Sequence, residues 1–109
     1  MVAGGAALYY YFTQSHNVGI EKLLNKPAAY TGKVVYIEGE VIDRTSFFNA
    51  IKFYKVRDKS GEIIVVTKSR TLPGLNSIAT VKGNIEDSFP IGDQKITVFV
   101  EESVEEKRQ

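Results

Sequence analysis

Cysteine is absent from the 109 residues, so disulfides and thiolate metal sites are excluded. Histidine occurs once, at His16, which leaves imidazole chemistry a single candidate in the polar stretch before the first helix. Net charge is also nearly lacking. A formal +1 does not supply the clustered Lys and Arg of a strongly electrostatic polyanion binder. There is no P-loop, no HExxH and no dinucleotide fingerprint, so no enzyme activity and no cofactor are expected. No apolar run approaches the roughly 20 residues that a membrane-spanning helix takes. What remains is ordinary globular composition, 43% hydrophobic and 25% charged, at a length that suits one domain.

The ends depart from that average. Val2 to Phe12 (VAGGAALYYYF) carries no charge, and Tyr9 to Phe12 sit where apolar residues give way to polar ones. Aromatic rings at such a junction favour a membrane–water interface. Residues 1–16 are therefore expected to be the outer part of a membrane anchor, with the domain outside the cytoplasm. The alternatives are an apolar segment packed on the domain, and a cytoplasmic location. A signal peptide fits less well, because no basic stretch precedes the apolar run. Residues 102–109 form a charged, Glu-rich tail, which reads as a solvated end.

Between them, residues 17–101 read as the folded domain. Asn17 is a candidate cap for a short helix from Val18 to Asn25, with Val18, Ile20, Leu23 and Leu24 on one face and Pro27 marking its end. Five strands then follow: Lys33–Asp43, Ile51–Arg57, Glu62–Lys68, Ile78–Glu86 and Gln94–Glu101. Asp58 to Gly61 is a turn, Asp87 to Asp93 a loop, and Pro73-Gly74 leaves little room for a helix between the third and fourth strands. Gly39 and Gly83 lie inside strands, where a side chain would obstruct a bend or bulge. Five strands, bent at glycine in the first and fourth, predict a small closed barrel, which removes exposed sheet edges.

Several pieces carry a resemblance: Asn25-Lys26-Pro27, Tyr30-Thr31-Gly32-Lys33, Ile37 to Val41 around Gly39, Phe53 to Gly61, Leu72-Pro73-Gly74, and Val81 to Ile85 around Gly83. Together they resemble the OB-fold nucleic-acid-binding superfamily of the tRNA-anticodon-binding type, and look most like its small forms in bacterial envelope proteins and lipoproteins. The resemblance spans about Val18 to Val100. It implies an all-β fold, a five-stranded OB-type Greek-key barrel with a short N-terminal α-helix, acting as a non-enzymatic binding module. It also implies that the second and third strands carry the ligand face, beside the loops after strands one and four.

If Tyr54, Val56, Ile63 and Val65 point inward, Phe53, Lys55 and Arg57 point outward with Ile64, Val66 and Lys68. Arg70 lies near them, and Phe47 and Phe48 sit in the first flanking loop. Aromatics beside cations suit single-stranded nucleic acid or another anionic ligand, because rings stack on bases while cations meet phosphates. Two plainer readings stand beside this one. Phe47, Phe48 and Phe53 can seal one end of the barrel while the lysines form a solvated face. Alternatively the Phe53, Ile64 and Val66 patch can bind a protein or the helix, as an envelope interaction domain would. A one-residue slip in strand phase would exchange the whole face. Glu38 and Glu40 share a strand face and can be read as paired carboxylates, as Ca²⁺ ligands, or simply as solubilising charge.

Overall fold

The structure, a computed structural model, describes residues 17–46 and 52–107. The elements run in the order α1 (Ile20–Asn25), a 3₁₀ turn (Pro27–Tyr30), β1 (Val35–Ser46), β2 (Lys52–Arg57), β3 (Glu62–Thr67), β4 (Ile78–Ile91) and β5 (Gln94–Lys107). The strands close into a barrel in the order β1-β2-β3-β5-β4. All neighbours are antiparallel except β3 and β5, which pair in parallel over Ile64–Val66 and Val98–Val100. This is the all-β OB-type barrel with a short helix that the sequence predicts.

Closure depends on β1 serving two neighbours. Val35 to Glu40 pairs with β4, and Glu40 to Ser46 pairs with β2, with an irregularity between Val41 and Asp43. Gly39 stands at this handover, where a Cβ would run into the carbonyl of Arg57 and the Val56 side chain. Gly83, at the irregularity between Lys82 and Gly83 in β4, is crowded in the same way by the Val100 carbonyl.

Alternation sets the interior. Ile37 and Val41 on β1, Tyr54 and Val56 on β2, Ile63 and Val65 on β3, Ala79, Val81 and Ile85 on β4, and Phe99 on β5 form one buried cluster. The predicted phase of β2 and β3 holds. Ile20 and Leu23, both fully buried, join this cluster from α1.

The helix begins later than predicted and without the predicted cap. Gly19 is its N-cap residue, and no side chain of its own segment caps it. Asn17 is instead bridged to Tyr36, and the Val18 N–H donates to the Tyr36 carbonyl at 2.8 Å, so this stretch is held extended against β1. The β2–β3 turn supplies the cap. The Ile20 N–H donates to Asp58 Oδ2 at 3.0 Å and the Glu21 N–H to Ser60 Oγ at 2.9 Å. These bonds satisfy two of the amides that a first helical turn leaves open. Leu24, expected on the apolar face, lies 37% exposed, because a helix starting at Ile20 aims Ile20 and Leu23 inward.

Three segments carry more strand than predicted. Arg44 to Ser46, read as the start of a loop after Asp43, extend β1 and pair with β2 from Tyr54 back to Lys52. Asp87 to Asp93, read as a loop around Pro90, is mostly β4, with Phe89 opposite Ile96 and Ile91 opposite Gln94. Pro90 is tolerated because this half of β4 has β5 on one side only. Gly92, with φ of 60°, makes the tight turn that follows. The Glu-rich stretch from Glu101 continues β5 to Lys107, which lies opposite Ile78, while most of its side chains stay exposed. The connection 68–77 contains no helix, as the Pro73-Gly74 turn predicts.

Candidate ligand-binding cleft

The outer face of β2 and β3 is not bare. Phe53, Val66 and Val98 form a second buried cluster on the side of the sheet opposite Tyr54 and Val65. Phe89, Ile91 and Ile96 from the β4–β5 hairpin pack against it, as do Ile64 and Val100. The hairpin thus folds over the face it flanks. Across its irregularity, Thr97 Oγ1 donates to Asp87 Oδ1 at 2.9 Å.

Between this hairpin and the end of β1 lies a cleft of about 300 Å³. Its apolar surface comes from Phe53, Ile64, Ile91 and Ile96, and its polar rim from Asp43, Thr45, Lys55 and Gln94. Tyr54 also lines it, and donates its hydroxyl to Glu101 Oε1 at 2.5 Å. Thr67 Oγ1 donates to the other oxygen of Glu101 at 2.8 Å, so β2, β3 and β5 are tied together at this point. Burial pushes the Tyr54 phenol far above its ordinary value, and the Glu101 carboxylate pushes it further. Tyr54 is therefore a neutral donor at any working pH.

The residues predicted for the site separate into groups. Phe53 and Lys55 line the cleft together, but Phe53 is only 7% exposed and is mostly engaged in packing. Lys55 Nζ lies 3.8 Å from Glu62. Arg57, on the same outward face, does not line the cleft; it is 3.2 Å from Glu40 and borders a second, more open depression with Glu38, Asp58 and Lys59. Lys68 and Arg70 are exposed in the β3–β4 connection, outside the cleft lining, and pair with no carboxylate among the described residues. The Arg70 carbonyl accepts the ammonium of Lys52 at 2.6 Å, which holds this connection to β2. Phe47 and Phe48 lie outside the described residues, as does His16.

Sequence reasoning missed Asp43, Thr45, Ile91, Gln94 and Ile96. For Ile91, Gln94 and Ile96 the available signal was the alternation of Phe89 and Ile91 with Gln94 and Ile96 around Gly92-Asp93, which spells a hairpin; Asp43 and Thr45 carry no such signal. The carboxylates Glu38 and Glu40 are each engaged. Glu38 accepts from Thr80 Oγ1 at 3.2 Å and from Asn17 Nδ2 at 3.5 Å, while Glu40 takes Arg57. Among the described residues no group of three acidic or histidine side chains could hold a metal ion. No helix there is long and apolar enough to cross a membrane.

No family model matches the chain, and no curated protein matches it. Solved structures do. Asparaginyl-tRNA synthetase from Pyrococcus horikoshii, complexed with asparaginyl-adenylate, matches 82% of this chain with a TM-score of 0.63 at 17% identity. A second structure of that enzyme matches 72% with a TM-score of 0.57 at 18% identity. A Leishmania major Friedlin structure described as an aspartyl-tRNA synthetase matches 83% with a TM-score of 0.62 at 13% identity. The match takes in 21%, 20% and 20% of those chains, so this chain spans about a fifth of their length. At such identities the likeness is one of fold, and together with the strand order it makes this chain an OB-fold barrel.

Proposed function

We propose that this chain is a non-enzymatic OB module that binds single-stranded nucleic acid across the outer face of β1, β2 and β3. The observation that carries the reading is the cleft itself. Its apolar surface lies where the sheet face meets the β4–β5 hairpin, and it is bordered by Lys55. OB barrels receive oligonucleotides on this face. The cleft offers apolar contact to a base, while Lys68 and Arg70, exposed beyond it, offer charge to the backbone. The fold likeness to a fifth of two tRNA synthetases supports the same reading.

Fluorescence anisotropy with a labelled nine-nucleotide strand at low salt tests it. Affinity should fall as salt rises, with a log–log slope of about −0.7 for each phosphate met. Reversing Lys68 and Arg70 together to Glu should weaken binding severalfold and flatten that slope. An unchanged slope would remove these two cations from the path, and no binding at all would remove the reading.

One observation favours a second reading, a protein-binding module. Lys55 and Arg57 both lie beside carboxylates, and the cleft is mainly aliphatic. An apolar side chain from a partner protein would fit such a surface.

A further inference from the structure

Asp43 and Lys55 are direct partners across β1 and β2, and both line the cleft. Directly paired residues of an antiparallel ladder stand about 5 Å apart and on the same face. Asp43 Oδ1 accepts the Arg44 N–H at 2.8 Å, which orients the carboxylate. The rim therefore presents an acceptor-only group beside a donor-only group, next to an apolar surface. A phosphate is a poor occupant here, because it would meet the Asp43 carboxylate; a neutral ring with polar edges is a good one.

Of the four common bases, guanine alone has two adjacent N–H donors, at N1 and N2, followed by a carbonyl acceptor, O6. Adenine and cytosine each offer one donor beside a ring-nitrogen acceptor, and uracil places its donor between two acceptors. Building on the strand-binding reading above, we propose that the cleft is a guanine-selective subsite. The Asp43 carboxylate accepts N1–H and N2–H, the Lys55 ammonium donates to O6, and the ring lies against Ile64 and Ile96. With three donors, Lys55 can serve O6 while remaining near Glu62.

The test uses nine-nucleotide, fluorescein-labelled RNAs that are uridine except for a central guanosine, inosine, adenosine or cytidine. Guanosine should bind roughly tenfold more tightly than adenosine or cytidine, the usual worth of one good bidentate contact. Inosine, which lacks the N2 amine, should fall between. In Asp43→Asn the guanosine-to-adenosine ratio should collapse to within about twofold, a change that general loosening of the fold would not produce. Unlabelled 5′-GMP should displace the strand at lower concentration than 5′-AMP. If GMP binds as tightly as the nine-mer, the guanine is taken as a free nucleotide rather than within a strand. Equal binding of all four RNAs would overturn the guanine assignment and leave strand binding standing. No binding to any of them would overturn both.

Discussion

Gly39 is a position where the backbone admits no substitute. Its Cα faces the Arg57 carbonyl where β1 passes from β4 to β2, so even a methyl group must push two strands apart. Gly39→Ala should cost about 1–3 kcal/mol in urea unfolding, the usual penalty for overpacking. A cost near zero would mean that the handover can relax. The position was legible in the sequence, because a glycine inside an otherwise alternating apolar strand weakens that strand unless another backbone must come close. The cleft was less legible. Asp43 reads as the last residue of a strand, and nothing in a lone Asp at that place marks it as the rim of a cavity. Phe53 shows the opposite difficulty. Its outward phase was legible, but its burial under Phe89 and Ile91 depends on a hairpin that Pro90 disguises as a loop.

Among the elements, the β2–β3 turn and α1 are coupled through Asp58. Burial acts to raise the Asp58 carboxyl, but the hydrogen bonds from the Ile20 N–H, from the Ser60 hydroxyl and N–H, and from the Gly61 N–H outweigh it. The net effect holds the group below its ordinary value. The folded state thus binds this proton less readily than the unfolded chain does. Its contribution is complete above the ordinary Asp range near pH 4, shrinks as pH falls below that range, and is gone once pH passes the lowered folded value. Melting temperatures taken from pH 7 to pH 2.5 should fall more steeply for the natural chain than for Asp58→Asn, and parallel curves would show the coupling to be idle. The second half of β5 offers another check. Ending the chain after Glu101 removes the pairing of Ser103 to Lys107 with β4 and uncovers Val104, which packs on the core. The shortened chain should melt several degrees lower, whereas an unchanged melting temperature would show that this stretch contributes nothing to the barrel. Its charge hid it from sequence reading, since alternation is hard to see when both faces are polar.

For the molecule as one body, the barrel was legible because its signals are redundant: five alternating runs, two interior glycines and turn chemistry all agree. The helix was legible in outline only, because its cap comes from 38 and 39 residues away rather than from its own flank. That distance has a kinetic side. Six residues are far too few to hold a helix in isolation, and the carboxylate and hydroxyl that receive its first amides exist as a site only after the β2–β3 turn has closed. Ile20 and Leu23, for their part, need an assembled barrel to enter. Docking of α1 should therefore come after the rate-limiting barrier, which the pairing of distant strands sets. In stopped-flow folding, Leu23→Ala should speed unfolding while leaving the refolding rate nearly unchanged. Val56→Ala, in the hairpin that builds the cap, should slow refolding. Equal φ-values at the two positions would mean that helix and barrel form together, and that a segment so dependent on its hosts is nonetheless present when they first meet.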